Sequence, residues 1–165
     1  MRRVILLVTA MGVAMLLASG VALAATIEGT PGDDRLLGTA NTDTIYGRGG
    51  DDLIRSLGAR DVDFGNTGND DIYGGEIGDQ LFGNAGDDYL VGDGGADEFY
   101  GAGGDDVIVS GDDKRPDTVR CGAGYDIAYI TGRDHSSLLS RHGCEEIHQF
   151  ESFDEIPNPG GTAGP

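Results

Sequence analysis

From Gly29 to Val109 the chain sets one apolar residue at every ninth position, among glycine, aspartate and asparagine. The apolar column is Leu36, Ile45, Ile54, Ile72, Leu81, Leu90, Phe99 and Ile108, interrupted once, by Asp63. Two residues before each of these positions stands an aspartate that never varies, the series running Asp34, Asp43, Asp52, Asp61, Asp70, Asp79, Asp88, Asp97 and Asp106. The units begin at Gly29, Gly38, Gly47, Ser56, Gly65, Gly74, Gly83, Gly92 and Gly101, without insertion or deletion. Within a unit the first six residues are turn formers, and the last three read polar, apolar, variable. That suits a short strand whose middle side chain faces inward. Glycine at this density excludes a helix.

The amino terminus has a different pattern. Arg2 and Arg3 precede an apolar run from Val4 to Ala18, and Ala22-Leu23-Ala24 follows. Residues 1–24 therefore read as a secretory signal peptide cut after Ala24, with an uncleaved anchor as the alternative, and either directs export. The remaining chain carries nine basic against 29 acidic side chains, a net charge near −20. Nucleic acid and anionic membrane are poor partners for such a surface, and no membrane association is expected once the signal is removed. A chain this acidic, with 30 glycines and no tryptophan, buries too little apolar area to offset its ordering entropy and self-repulsion. A positive component has to come from outside the chain. The two cysteines, Cys121 and Cys144, are compatible with a disulfide in an oxidising compartment, a free or intermolecular thiol being the alternative.

The unit follows the pattern Gly-Gly-x-Gly-x-Asp-x-U-x, where U is apolar, and resembles the repeat of the RTX, or hemolysin-type calcium-binding, family. Counting two degenerate units after Val109, the resemblance covers Gly29 to Tyr129. It implies an all-β fold, a right-handed parallel β-roll over residues 25–129 in which two units complete one coil. One inner wall would then hold Leu36, Ile54, Ile72, Leu90 and Ile108, and the other Ile45, Leu81 and Phe99. It also implies calcium as the cofactor, held between loops stacked on one edge by carbonyl oxygens and the aspartates of both loops.

The two-unit period sorts the loops onto two edges. On the first, Asp34, Asp52, Asp70, Asp88, Asp106 and Asp126 are accompanied by glycine at position four of the unit, at Gly32, Gly50, Gly68, Gly86, Gly104 and Gly124. On the second, Asp43, Asp61, Asp79 and Asp97 follow Asn41, Ala59, Ile77 and Gly95 at the matching positions, and Asp117 continues the series. A β-branched residue such as Ile77 resists the positive φ that glycine accepts, so the second edge is expected to bind more weakly. Calcium takes six to eight oxygen ligands, and bare carbonyls with one carboxylate per loop supply them. Without a cation, carboxylates stacked every ~4.8 Å would repel their neighbours by about 1 kcal/mol per pair even in high dielectric.

Asp63 and Ser56 depart from the pattern in the same unit, which reads as a local defect, a bulge presenting Val62 or Phe64 inward. Tyr46, Phe64, Phe82 and Tyr100 recur every eighteen residues and are expected to stack as an outward aromatic ribbon. Between Ser110 and Arg120 the phase slips by two residues, with Lys114-Arg115-Pro116 as the loop that absorbs them. Residues 130–150 read as a cap, with a turn or short helix over Asp134 to Cys144, and 151–165 as a tail, disordered from Asn158 on. The family resemblance implies that Cys121 and Cys144 pair and fold the cap over the open end of the roll.

No catalytic constellation stands out, and no enzyme activity is expected. His142-Gly-Cys-Glu-Glu-Ile-His148 lacks the His-Glu-x-x-His helix of metalloproteases, and no serine lies in a Gly-x-Ser-x-Gly turn. The expected function is a secreted, extracellular, monomeric calcium-binding protein that folds on binding its ions. Two alternatives are a calcium-dependent adhesion module using the aromatic ribbon on a protein or glycan partner, and a remnant of an RTX toxin or protease. The leader at Met1 speaks against the last, marking the chain as complete.

Overall fold

The computed structural model describes residues 24–111, 115–131 and 143–150. The expected signal peptide, the loop at Lys114, the turn or helix from Asp134 and the tail from residue 151 lie outside them. Thirteen strands follow one another: β1 (Ala25–Glu28), β2 (Arg35–Leu37), β3 (Asp43–Tyr46), β4 (Leu53–Leu57), β5 (Val62–Thr67), β6 (Asp71–Gly75), β7 (Gln80–Ala85), β8 (Tyr89–Asp93), β9 (Glu98–Gly103), β10 (Val107–Val109), β11 (Thr118–Ala123), β12 (Ile127–Thr131) and β13 (Glu146–Phe150).

Odd strands β1 to β11 form one six-stranded sheet, and the even strands with β13 form a seven-stranded one. Neighbours within each sheet are parallel. The register is eighteen residues, two units, as in Leu36 beside Ile54 and Leu81 beside Phe99. Across the phase slip Val119 still lies beside Phe99 and Ala128 beside Ile108, so the two extra residues leave the register intact. The chain is a parallel β-roll.

The inward residue of each strand meets its opposite across a core one side chain deep on each wall. Leu36, Ile54, Ile72, Leu90, Ile108 and Ala128 line one wall, and Ile27, Ile45, Leu81, Phe99 and Val119 the other, all buried. The roll exceeds the nine regular units at both ends. Ala25–Glu28 supplies a strand before the first glycine unit, and Glu146–Phe150, in the segment expected as a cap, adds a strand beside β12. Cys121 and Cys144 form a disulfide, Cα atoms 5.1 Å apart, which ties the approach to β13 to the last full coil.

Asp63 does not sit in a bulge. It keeps the register between Ile45 and Leu81, and its side chain enters the core fully buried, while Val62 and Phe64 stay on the half-exposed outer face. The physical reason is Ser56, the other irregular residue of the same unit. Its buried hydroxyl donates to Asp63 Oδ2, so the two departures from the pattern compensate each other. Burial raises the Asp63 carboxyl to about 7, with the Ser56 bond opposing and Asp61 and Asp43 adding to the rise.

On the outer face of the odd sheet, Tyr46, Phe64, Phe82 and Tyr100 stack with centroids 5.0, 4.8 and 4.5 Å apart and planes within 14° of parallel. The Arg120 guanidinium closes the stack over Tyr100. The even sheet has a second apolar cluster on its outer face, where Val91, Val109 and Tyr129 are buried among Tyr89, Val107 and Phe150. The nine-residue pattern, which assigns those outer positions no fixed character, gives no sign of it.

Candidate metal centre

Each loop ends on its aspartate, immediately before or at the start of a strand, and this position puts the carboxyl group inside the edge of the roll. From Asp43 to Asp126 these aspartates are all buried. One oxygen of each is committed to the backbone. The Asp34 amide donates to Asp52 Oδ1 at 2.7 Å, Asp52 to Asp70 and Asp70 to Asp88 at 2.8 Å, Asp88 to Asp106 at 2.9 Å and Asp106 to Asp126 at 2.8 Å. The second edge repeats the staircase from Ala25 through Asp43, Asp61, Asp79, Asp97 and Asp117, at 2.6–3.0 Å. At the far end of the first edge Asp126 donates to Glu145 Oε2 at 2.9 Å, so Glu145 ends the series. Each carboxylate thus fixes the loop one coil before it.

In seven of these aspartates the other oxygen meets no donor among the described residues. Oδ2 of Asp52, Asp70, Asp88, Asp106 and Asp126 on the first edge, and of Asp61 and Asp79 on the second, is buried without a hydrogen-bond donor. A buried polar atom left this way is costly unless a cation or donor meets it. The first glycine of the unit keeps the space around Oδ2 open. At Gly47, Gly65, Gly74, Gly83 and Gly101 a Cβ would collide with Oδ2 of the same loop's aspartate. At position four the stacking is tighter still: a Cβ on Gly68, Gly86, Gly104 or Gly124 would strike the carbonyl oxygen of the glycine one coil earlier. Each edge therefore presents unpaired carboxylate oxygens beside closely stacked backbone carbonyls, the hard oxygen set that calcium takes.

The sequence pattern of the RTX calcium-binding nonapeptide repeat matches this region in four copies, over residues 24–63, 64–76 and 73–108. The chain belongs to the RTX calcium-binding nonapeptide repeat family. Neither a curated protein nor a solved structure shows significant similarity to it.

The residues of this RTX roll fit a calcium ion better than a metal held by side chains alone. Among the described residues no three carboxylate, imidazole or thiolate groups converge on one point, so a cation would draw most of its ligands from the main chain. The electrostatics favour a positive ion. Burial first, and then repulsion from neighbouring carboxylates, pushes Asp52 and Asp106 up to about 7 and Asp79 and Asp88 up to about 8, against the opposing effect of the backbone donor. Asp61 and Asp70 rise to about 6 for the same leading reason.

The two edges differ in their fifth residue. On the first, Asp33, Asp51, Asn69, Asp87 and Asp105 form an exposed second staircase: Asp51 donates to Asp33 at 3.1 Å, Asn69 to Asp51 at 2.9 Å, Asp87 to Asn69 and Asp105 to Asp87 at 2.8 Å, and Tyr125 to Asp105 at 2.7 Å. The second edge has Thr42, Arg60, Gly78 and Ala96 there, and so lacks this outer row of carboxylates. The sequence signal for that row is the pairing of aspartates at positions five and six, at Asp33-Asp34, Asp51-Asp52, Asp87-Asp88 and Asp105-Asp106. At position four the second edge has Ala59 at φ 80° and Gly95 at φ 146°, while Ile77 avoids positive φ and stands 48% exposed. On the first edge Gly50, Gly68, Gly86, Gly104 and Gly124 have positive φ, and Gly32 does not.

The loops of the first coil differ from those that follow. Asp34 Oδ2 accepts from the Thr30 amide at 2.5 Å and its hydroxyl at 2.9 Å, and Asp43 Oδ2 from the Thr39 amide at 2.6 Å and its hydroxyl at 3.0 Å.

Proposed function

We propose that this RTX protein is a secreted calcium-binding protein whose roll forms when calcium reaches it outside the cell. One observation carries the reading: buried carboxylate oxygens, repeated coil after coil, with no donor among the described residues to meet them. Asp52, Asp70, Asp88, Asp106 and Asp126, with the carbonyls of the position-four glycines, would hold ions on the first edge, and Asp61, Asp79, Asp97 and Asp117 would contribute on the second. Bound calcium supplies the positive charge that lets these groups ionise inside the roll. The chain itself supplies the ligand loops, which the Oδ1 staircase holds in register once the roll has formed. Because binding and burial of the carboxylates are linked, ion binding is folding free energy. Extracellular modules of this kind bind calcium at ~10⁻⁴ to 10⁻³ M. The role is one of binding and structure rather than catalysis, and the protein acts as a monomer without nucleic acid or membrane partners.

The aromatic ribbon supports a structural role more than an adhesive one. Its ring faces are turned to one another at 4.5–5.0 Å, so only ring edges are left for a sugar or a partner. Circular dichroism of the chain from Ala25 onward at pH 8, with calcium and then with excess EDTA, tests the main reading. Loss of the β signal in EDTA and its return with calcium but not magnesium is the expected result. An unchanged spectrum in EDTA would refute it.

A further inference from the structure

The two loops of the first coil are built differently from those that follow, and the cause is a single residue type. At the second position of the unit, Arg48, Asn66, Asn84, Ala102 and Gly122 on the first edge and Leu57, Gly75, Asp93 and Gly111 on the second all have positive φ. Thr30 and Thr39, at that same position in the first coil, do not. A β-branched residue strongly disfavours the left-handed region. With φ kept negative, the amide of each threonine reaches the aspartate of its own loop, and the hydroxyl follows it.

That hydroxyl has notable surroundings. Thr30 Oγ1 lies 2.9 Å from Asp34 Oδ2 and 3.2 Å from the Gly32 carbonyl oxygen, and Thr39 Oγ1 lies 3.0 Å from Asp43 Oδ2 and 3.4 Å from the Asn41 carbonyl oxygen. These are the same oxygen types, one aspartate Oδ2 and one position-four carbonyl, that the later loops offer to a cation. Asp52, Asp61, Asp70 and Asp79, each at most 3% exposed, have no donor at Oδ2. The amides of Gly32 and Asn41 approach the same hydroxyls at 3.4 and 3.1 Å.

We propose that Thr30 and Thr39 are cation-replacing end caps: with an amide and a hydroxyl they satisfy Asp34 and Asp43, so the calcium ladders begin at Asp52 and Asp61. The inference rests on the calcium reading above and narrows it, removing two of the aspartates that the repeat pattern alone would count as ligands. Among the described residues the first loops have no complete preceding loop to share an ion with, and a cap made of the chain's own donors spares the roll a half-coordinated ion there. The loops of the first coil thereby need no cation.

Counting ions separates the possibilities. The chain from Ala25 onward is saturated with calcium, freed of excess by gel filtration in a calcium-containing buffer of known concentration, and its bound calcium measured by atomic emission. Asp34→Asn with Asp43→Asn is expected to bind as many ions as the unaltered protein, whereas Asp70→Asn and Asp79→Asn each lose at least one. A drop of one or more ions in the Asp34/Asp43 double variant, with its β spectrum intact, overturns the cap. Should that variant not fold, Thr30→Ala with Thr39→Ala leaves both carboxylates in place. With the hydroxyls gone, Asp34 and Asp43 Oδ2 are expected to take up a cation and the count to rise by at least one; an unchanged or reduced count overturns the cap. Absence of bound calcium in the unaltered protein would sink the underlying calcium reading and this inference with it, and is recognised because Asp70→Asn then changes nothing either.

Discussion

Remove the cations with EDTA and the pH should decide whether the roll exists. The buried aspartates have folded-state values near 6 to 8, against 3.8 for an ordinary aspartate. A carboxyl raised on folding binds its proton more tightly in the roll than in the open chain. Its contribution is therefore fully present below about pH 4 and is lost as the pH climbs through 6 to 8. For Asp52, moved from 3.8 to about 7, the loss has an upper bound of about 4 kcal/mol at ~1.36 kcal/mol per unit, reduced by solvent screening at the edge of the roll. A domain has a margin of only ~5–15 kcal/mol, so two or three such groups suffice to unfold the metal-free chain at pH 8. Thermal melts followed by circular dichroism in EDTA, stepped from pH 4.5 to pH 8, should show a melting temperature that falls steadily and a folded baseline that vanishes near neutrality. With saturating calcium the slope reverses, because protons then compete with the ion for the same oxygens. A melting temperature in EDTA that is flat or rises between pH 5 and 8 would refute the claim that these carboxylates are forced together by the fold.

Three substitutions probe other parts of the roll in the calcium-loaded protein. Ser56→Gly leaves the buried Asp63 carboxyl without its donor and should cost about 1–3 kcal/mol, while Ser56→Gly combined with Asp63→Leu restores the apolar wall and should melt above either single variant; a double variant no better than Ser56→Gly would count against the pairing. Gly104→Ala forces a Cβ onto the Gly86 carbonyl at φ +131° and is expected to lose on the order of 1–3 kcal/mol in urea titration, whereas Gly32→Ala, with open space around it and no positive φ, should stay within about 0.5 kcal/mol of the parent. Cys121→Ser with Cys144→Ser releases a closed loop with a sequence separation of 23 and should lower stability by about 3 kcal/mol, which an unchanged melting temperature under reducing conditions would contradict.

The repeat by itself determined the walls of the roll. An apolar residue every nine positions, flanked by glycine turns, can bury its side chain only if it sits mid-strand and faces inward, and the resemblance to the RTX repeat, with two units to a coil, sorts Leu36 to Ile108 and Ile45 to Phe99 onto opposite walls. The invariant aspartates were readable too, because a charge that recurs with the core period must stack with its own kind. What the linear pattern could not contain was the sharing of work between the two oxygens of one carboxylate. That depends on a coil eighteen residues away, whose amide takes Oδ1 and leaves Oδ2 for a cation. Ser56 and Asp63 looked like two faults seven residues apart, and only the packing of β5 against β4 across the core makes them one hydrogen bond. Likewise Thr30 and Thr39 fit the motif as unremarkable variable positions. Their role comes from a backbone angle, and φ at one residue is decided by the loop closing on itself in space, where the branch at Cβ excludes the conformation that all the later coils adopt.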